Sequence, residues 1–519
     1  MTTTPLPRRI HLPYYLLSIL ALANIALFCV VVANHLRFPL NLEAMETTVL
    51  EHVRRAMTGQ PIYVEPTAQF APLAYNPLYY YLCAFFARFL GLSLTTLREV
   101  TLLATAGCAA MLYLITVRET RSKWWGLMTL GLFAGSYQAL DSYYDVGHRD
   151  TWLVFLVLAG CYLIGYSESR TRDAFGMLLL VAGFWMKQQG IVFAAGGLAY
   201  LVLRDLRTGA SALRSWPSAA LTFCFGPLLY LLLPSRFIGP AFHYFTWDVP
   251  RHWTEVTRDE FRAFAEFVAR RFTVPAALAG AGLQLSLDRG RPLGIWIFFL
   301  PVAFLSAVMS MLTPGSNMNV FIPFGVWLML SAILALPQLT RAIPWLDQLH
   351  FPAIALALSL LALAYNPKSV LVPEAEAQLA YQDLVQYIQQ LEGPVYAPWI
   401  GQMPTGSKLR AAAHWVPLED MERGPGATAS DVQLVHEILK PAVNPGGNGR
   451  KTYILHNTPL KSDPLLRYVS DSYVLEQDLG NRFRALDCVP RRYSGLWPRY
   501  LYRYDPQAAV RLSASQTRP

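Results

Sequence analysis

The stretch PYYLLSILALANIALFCVVVAN, residues 13–34, is followed almost at once by NLEAMETTVLEHVRRAMTGQPIY, residues 41–63. The first stretch is an unbroken apolar run about as long as a helix that crosses a bilayer. The second stretch has helical periodicity, and it places Glu43 and Glu46 one helical turn apart. Asn41 is a candidate cap at the start of this helix, and Gly59 and Pro61 are typical of its end. The pattern predicts a membrane span that leads into an acidic helix.

The composition extends this prediction to the whole chain of 519 residues. Hydrophobic residues make up 54% of it and charged residues only 15%, whereas about a quarter of the residues of a soluble domain are charged. The apolar residues fall in runs separated by short charged loops, which is typical of a polytopic helical membrane protein. The predicted spans lie near residues 13–34, 98–117, 124–140, 151–166, 174–188, 190–204, 217–234, 272–287, 292–312, 318–337 and 351–366.

The distribution of positive charge assigns the sides of the membrane. The net charge is +9, but many Lys and Arg residues lie in short loops between the spans, so the positive-inside rule accounts for them and nucleic-acid binding is not indicated. Arg8 and Arg9 place the N-terminus in the cytoplasm. Counting residues 75–91 as a crossing would put the arginine-rich loops outside, so we predict an interfacial helix there.

The same count places the end of the chain outside the cytoplasm. The sequence therefore predicts a mainly α fold: a bundle of about 11 spans with interfacial helices, followed by a small extracytoplasmic α/β domain. The membrane module comprises residues 1–366, with its first external loop at 35–97, and the C-terminal domain comprises residues 367–519. Helices at YQDLVQYIQQLEG and VQLVHEILK alternate there with short strands at PVYAPW, KTYILHN, SYVLEQ and RYLYRY.

No cofactor is indicated by the sequence. Most of the six cysteines lie in apolar segments, and Cys488 is separate from them in the C-terminal domain, so no disulfide framework or Cys/His metal spacing is present. The many carboxylates leave a divalent metal open, but no ligand spacing demands one.

Carboxylates and cations collect on the predicted outer side. Two neighbouring carboxylates such as Glu43 and Glu46 repel each other, which raises the pKa of one and suits it to act as a general base. The alternative is an interfacial amphipathic helix whose acidic residues face water. Other outer segments add Asp145, His148, Arg149, Asp150, Lys187, Arg251, Asn317 and Asn319. Cations beside carboxylates at a membrane surface favour a lipid substrate that bears phosphate.

Four motifs carry a resemblance to a known family. They are ETTVLEHVRRAMTGQPIY with AYNPLYYYL, then GHRDTWLVFLVLAG, WMKQQG and TPGSNMNVFIP, which run in this order from about residue 40 to 325. The chain resembles the polyprenyl-phosphate-sugar-dependent glycosyltransferases of the GT-C fold, in their bacterial mannosyltransferase-like and aminoarabinose-transferase-like branch. It departs from the family in having Glu where Asp is common, and in placing His148 where the family has the arginine of Arg-x-Asp.

The resemblance implies an inverting glycosyltransferase that moves a sugar from a polyprenyl-phosphate carrier to an acceptor hydroxyl. By its distance from Tyr63, Glu46 rather than Glu43 matches the family's catalytic acid, and Asp150 orients a cation or the acceptor. Lys187, His148, Arg149 and Arg251 are expected to bind the donor phosphate. The remaining expected substrate-binding residues are Tyr63, Tyr75, Asn76, Asp145, Gln188, Asn317 and Asn319.

The implied partners are the lipid-linked donor, membrane lipid and a lipid, glycan or protein acceptor, in the bacterial cytoplasmic membrane. Two other functions stay open from the sequence. A glycan ligase or polymerase would use lipid-diphosphate donors, and a transporter of lipid-linked sugars would place charges near the bilayer midplane and show an inverted repeat. The charges here lie at the ends of the predicted spans instead.

Overall fold

The computed structural model describes residues 11–209, 215–233, 235–288, 293–313, 317–400, 413–443, 451–487, 497–505 and 507. The predictions made for Arg8, Arg9 and Cys488 lie outside these residues. Within the described residues, four helical segments are long and apolar enough to cross a membrane, namely Leu12–Leu36, Leu94–Thr120, Met318–Ala342 and Phe351–Ser369. Shorter apolar helices accompany them. The chain is therefore a multi-pass membrane protein, as its composition predicted.

The membrane module contains eighteen helices in its described residues. They are α1 (His11–Leu36), α2 (Glu46–Met57), α3 (Leu78–Leu90), α4 (Leu94–Thr120), α5 (Lys123–Gly135), α6 (Asp150–Gly165), α7 (Arg170–Met186), α8 (Gly190–Arg207), α9 (Trp216–Phe223), α10 (Leu229–Leu232), α11 (Ser235–Ile238), α12 (Val249–His252), α13 (Arg258–Phe267), α14 (Thr273–Asp288), α15 (Ile295–Met311), α16 (Ile322–Ala342), α17 (Trp345–Gln348) and α18 (Phe351–Leu363). Each predicted span coincides with a helix, except that 217–234 forms α9 and α10 with a π-helical turn between them at Cys224–Leu228. The number of membrane crossings stays a prediction.

The helices differ in how much of their surface other helices cover. In the apolar window of α16, 89% of the residues are buried, whereas the corresponding value for α1 is 22%. Helix α16 is therefore the centre of the bundle, and α1 has an apolar surface that suits lipid. Small residues permit close packing between α6 and α7, because a Cβ atom on Gly160 would lie 2.8 Å from the carbonyl oxygen of Gly176.

The segment after α1 corrects one prediction. Helix α2 begins at Glu46, so Glu43 lies in the preceding turn, and the side chain of Asn41 donates to Oγ1 of Thr47 (3.2 Å) instead of capping the helix. The main-chain N–H of Leu42 donates to the Glu46 carboxylate (2.7 Å), and that of Met45 donates to the Glu43 carboxylate (2.8 Å). These N–H groups bond to side-chain carboxylates instead of the main-chain carbonyls that accept within a helix, so the helix begins only at Glu46.

In the part that the structure describes, the C-terminal domain combines three α-helices with one sheet. Its elements are α19 (Glu374–Gln390), α20 (Trp415–Glu422), α21 (Ala429–Val443), β1 (Val395–Tyr396), β2 (Tyr453–His456), β3 (Tyr473–Asp478) and β4 (Tyr500–Tyr504). The strand order is β1-β2-β4-β3, with β1 parallel to β2 and the other pairs antiparallel. Every helix and strand predicted there is present. Helix α20 was not predicted.

Close contacts to main-chain carbonyl oxygens hold the C-terminal domain against the membrane module. The indole N–H of Trp253 donates to the carbonyl oxygen of Asp420 (2.8 Å), and the N–H of Gly426 donates to that of His252 (3.1 Å). Gly424 has φ +90°, and a Cβ atom there would lie 2.3 Å from the His252 oxygen. Glycine is thus required at this contact, which brings the end of α20 against the segment of the membrane module that contains His252 and Trp253.

Candidate active site

A cavity of about 590 Å³ lies between helix α20 and the segments that connect the helices of the membrane module on the side facing it. The predicted site residues in its wall are Glu43, Tyr75, Lys187, Gln188, Arg251, Asn317 and Asn319. They come from segments that are far apart in the sequence, and the fold brings them together. The cavity is therefore the candidate active site.

Asp150 organises one side of the cavity from behind its wall. This buried carboxylate begins α6, and its Oδ1 accepts a hydrogen bond from Nζ of Lys187 (2.7 Å). Its Oδ2 accepts one from Nδ2 of Asn319 (2.7 Å). Lys187 follows the last residue of α7, and Asn319 precedes α16. One carboxylate thus fixes the cavity side chains of two helix ends, which is an orienting role.

Arg149 is the least compensated cation near the cavity. Its side chain is fully buried, and none of its guanidinium nitrogens has a hydrogen-bond partner among the described residues. Its Cζ lies 3.1 Å from the ring centroid of Tyr75, whose side chain lines the cavity. A buried charge is costly unless it is paired, so an anion in the cavity would compensate the charge of Arg149 across the ring of Tyr75.

His148 does not add a positive charge to this group. Its Nδ1 lies 2.5 Å from Oδ2 of Asp150, and its side chain is buried. Burial lowers the pKa of His148 to about 4, and the neighbouring charges of Arg149 and Lys187 act in the same direction, against the effect of Asp150. The imidazole is therefore neutral near pH 7, so a charge interaction with phosphate, as predicted from the sequence, is not expected of it.

Glu43 is the carboxylate of the acidic pair that faces the cavity. Its Oε1 accepts from the hydroxyl of Tyr143 (3.2 Å), and its Oε2 accepts from the N–H of Met45 (2.8 Å). The Tyr143 hydroxyl in turn accepts from Nδ2 of Asn317 (3.0 Å). Glu43 is thus oriented by two donors while its side chain forms part of the cavity wall.

Glu46 is placed differently from the sequence-based prediction. It has an exposed fraction of 0%, and Arg98 of α4 binds both of its oxygens, at 3.0 Å through Nε and 2.8 Å through Nη2. The N–H groups of Leu42 and Gly147 also donate to it. Burial alone would raise the pKa of Glu46, but Arg98 and these N–H groups outweigh it, so the pKa is lowered. Glu46 therefore lies in a buried ion pair behind the cavity.

Three further residues predicted to bind substrate support the cavity from behind. The hydroxyl of Tyr63 donates to the carbonyl of Tyr75, and Nδ2 of Asn76 donates to a main-chain carbonyl of α7 (2.7 Å). Asp145 lies 2.6 Å from Nδ1 of His35. All of them are buried, and their partners are protein groups that position α1, α3 and α7.

Helix α20 supplies cavity residues that sequence reasoning missed. Trp415, Val416, Glu419, Asp420 and Arg423 line the cavity from the C-terminal domain. The helix has only eight residues, which is too short for a clear periodic pattern. A usable signal was His414, whose Nδ1 accepts from the N–H of Val416 (3.2 Å) and caps the helix. Among the residues that the structure describes, no cluster of three or more His, Cys, Asp or Glu residues could hold a metal.

Comparison with solved structures identifies the fold as GT-C, the class of membrane fold that the four motifs predicted. The structures concerned are two of ArnT from Cupriavidus metallidurans. The apo state aligns with a TM-score of 0.54 and 15% identity, and the complex with undecaprenyl phosphate aligns with 0.52 and 13%. Both alignments cover 95% of this chain and 98% of the other. No protein-family model matches the chain, and no curated protein is significantly similar to it in sequence.

Proposed function

We propose that the chain is an integral-membrane inverting glycosyltransferase. It moves a sugar from a polyprenyl-phosphate carrier to an acceptor hydroxyl. The observation that carries the proposal is the cavity in which Glu43, an oriented carboxylate, shares a wall with Lys187. Arg149 lies behind Tyr75 in the same wall. A base and a group of cations in one cavity are the two features that transfer from a phosphate carrier needs.

The cations match the phosphate of the donor. Lys187 and Arg251 line the cavity, and Arg149 is buried beside it with no hydrogen-bond partner among the described residues. A phosphate bound here would accept charge-assisted hydrogen bonds from Lys187 and Arg251, which are among the strongest in proteins, while Arg149 would attract it electrostatically from behind Tyr75. That ArnT from Cupriavidus metallidurans, which has the same fold, binds undecaprenyl phosphate supports a carrier of this class.

An apolar groove beside the cavity suits the polyprenyl tail. The groove has a volume of about 460 Å³, and its walls come from α3, α7, α10 and α11. The cavity and the groove are adjacent, because neighbouring residues of the chain line them. Phe184 and Tyr230 line the cavity, and the residues next to them in the chain, Trp185 and Leu229, line the groove. The tail would leave the cavity sideways along α3, the helix that the sequence predicted to lie at the membrane interface.

The reaction uses these residues in one displacement. Glu43 takes the proton of the acceptor hydroxyl, whose oxygen forms a bond to the anomeric carbon of the sugar. The bond between that carbon and the phosphate oxygen breaks, and the electron pair leaves with the polyprenyl phosphate. Lys187, Arg149 and Arg251 stabilise the charge on the departing phosphate. Attack opposite the leaving group inverts the configuration.

The proposed side of the membrane follows from the distribution of charge. The short loops rich in Lys and Arg lie on the opposite side of the module from the cavity in the predicted topology. We therefore place the cavity and the C-terminal domain on the extracytoplasmic face of a bacterial cytoplasmic membrane. A lipid carrier suits this face because the carrier itself supplies the activated sugar there.

The test is transfer from a panel of radiolabelled donors by the purified protein in lipid nanodiscs, with native membrane extract as the acceptor. We expect transfer from one polyprenyl-monophosphate sugar, and we expect Arg251→Gln to raise the KM for this donor by about tenfold through the loss of a charged hydrogen bond. Arg262→Gln is the matched control, because Arg262 is exposed and pairs with Glu266. Transfer from diphosphate donors alone would favour a ligase, and lipid movement without transfer would favour a transporter.

A further inference from the structure

Helix α20 forms the wall of the cavity opposite the membrane module, and we call this wall the roof. Its residues are Trp415, Val416, Glu419 and Asp420, with Arg423 just beyond the helix. The roof is held in place by the bond from Trp253 to the carbonyl oxygen of Asp420. A binding surface on a fixed helix is preorganised for a ligand. The C-terminal domain thus completes the cavity.

Asp420 is the roof residue that most clearly lacks a partner. Its exposed fraction is 6%, and no residue in the described part of the chain forms a hydrogen bond to its Oδ2. A buried acceptor without a partner costs free energy, which a ligand that donates a hydrogen bond would recover. The side chain lines the cavity, so such a ligand would bind inside it.

The titration of Asp420 agrees with a hydroxyl-bearing ligand. The pKa of Asp420 is raised to about 7. Burial is the main cause and Glu419 adds to it, while Arg423 and Arg149 act in the opposite direction. Near neutral pH this carboxyl group is partly protonated. It can then either accept a hydrogen bond from a sugar hydroxyl or donate one to it.

Tryptophan side chains line the same cavity as the carboxylates of the roof. Trp415 stacks on Trp399 with ring centroids 4.2 Å apart, and Trp415, Trp247 and Trp253 all line the cavity. Aromatic faces pack against the apolar C–H faces of sugar rings, while carboxylates bind the hydroxyl groups at their edges. The roof combines both elements.

Charge is distributed unequally across the cavity. On the side of the membrane module, Lys187, Arg149 and Arg251 are three cations against two carboxylates. These carboxylates are Glu43 in the wall of the cavity and Asp150 behind it. At the roof, two carboxylates accompany the single cation Arg423. A phosphate group is attracted to the first side and repelled by the second.

From these observations we propose that α20 binds the acceptor, and that the acceptor is a carbohydrate without a phosphate group. This inference rests on the proposed function, because the donor occupies the cationic side of the same cavity. The hydroxyl that reacts would lie between the roof and Glu43. Neutral glycans are the expected acceptors, whereas phosphorylated glycans and peptides are not.

The test measures binding of an oligosaccharide panel to the full-length protein in nanodiscs, with each neutral member paired with its phosphorylated counterpart. We expect neutral members to bind more tightly than their counterparts. Measured at pH 8.5, where the Asp420 carboxyl group is ionised, Asp420→Asn should weaken this binding by about tenfold or more, because a charged acceptor is replaced by a neutral amide. Glu422→Gln is the matched control, because Glu422 lies on the same helix near His436 and away from the cavity wall.

Three results would overturn the inference: no member binds, the phosphorylated members bind more tightly, or Asp420→Asn binds as the wild type does. Undecaprenyl phosphate binding, measured on the same samples, separates this inference from the proposed function. We expect it to be equal in the wild type and Asp420→Asn. Absence of undecaprenyl phosphate binding in the wild type would contradict the donor proposal, whatever the oligosaccharides do.

Discussion

Glu43 and Glu46 are three residues apart, but the chain uses them differently. Glu43 lies in the turn before α2 and faces the cavity, whereas Glu46 begins the helix and points towards Arg98 of α4. Besides Glu46, Arg98 binds the carbonyl oxygens of Phe38 (2.6 Å) and Leu40 (2.6 Å). One buried arginine therefore fixes the external segment on the bundle, and Glu46 is its charge partner.

This pairing predicts that Glu46→Gln lowers stability. The substitution leaves Arg98 charged and buried without a carboxylate, and breaking such a pair typically costs about 3–5 kcal/mol. Glu51→Gln is the control, because its partner Arg54 is partly exposed and such pairs contribute about 0–1 kcal/mol. Thermal unfolding in detergent measures both. If Glu46→Gln melts at the same temperature as Glu51→Gln, the structural role of Glu46 is wrong.

The buried His52 makes the stability of the folded state depend on pH. Its Nδ1 donates to the carbonyl of Thr48 (2.7 Å), and its Nε2 accepts from the N–H of Leu73 (2.9 Å). Burial lowers the pKa of His52 to about 3 from the ordinary 6.5. The folded state then binds fewer protons than the unfolded state between these values, so the stability is present above pH 6.5 and is lost as the pH falls.

The expected slope from His52 alone is about 1.4 kcal/mol per pH unit below pH 6. His148, with its pKa lowered to about 4 by burial, adds to it. Melting temperatures of the wild type and His52→Gln between pH 4 and 8 provide the measurement. We expect a shallower acid slope in the variant, and an equal slope in both proteins would show that His52 does not titrate in this way.

Residue types were predictable at the site, but directions of side chains were not. The outer-side pattern selected Glu43, Lys187 and Asn319, which the fold brings to one cavity. The role of Arg98 could not be read in the same way, because the sequence shows it only as the first residue of an apolar span. Its pairing with Glu46 depends on how α2 packs on α4, which is tertiary information.

At the scale of elements, α3 connects the membrane to the site. The sequence predicted an interfacial helix at 75–91, and the structure has α3 at Leu78–Leu90. Pro77, Leu78 and Tyr81 line the apolar groove, whereas Phe89 has an exposed fraction of 74%. One side of α3 therefore lines the groove for the proposed lipid tail, and another side is exposed on the surface of the protein.

Filling the groove should weaken binding of the lipid. Leu229→Trp places a larger side chain in the groove wall, and we expect the affinity for undecaprenyl phosphate to fall by about tenfold, since the tail loses apolar contact area. Phe89→Trp is the control on the exposed side of α3. Native mass spectrometry of both variants in nanodiscs measures bound lipid. Equal lipid binding in the two variants would exclude this groove as the site of the tail.

At the scale of the whole molecule, the run lengths and charges of the sequence predicted the apolar helices of the membrane module, and its periodic patterns predicted the elements of the C-terminal domain other than α20. The docking of the two parts could not be predicted. It depends on contacts such as Gly424 against the carbonyl of His252 and Trp253 against that of Asp420. Both contacts are made to main-chain carbonyl oxygens, and hydrophobic patterns carry no information about them. This docking completes the wall of the cavity with residues of α20.

The central claim is that Glu43 is the base in a cavity that binds a lipid-phosphate sugar. The most direct measurement is the initial rate of transfer by Glu43→Gln in nanodiscs, with the donor that the panel identifies. The amide oxygen of glutamine can still accept from the N–H of Met45, and its NH2 group can donate to the hydroxyl of Tyr143, so folding and undecaprenyl phosphate binding should be unchanged. We expect the rate to fall by about 10²–10⁴-fold, the usual contribution of a general base. A rate equal to that of the wild type would contradict the account.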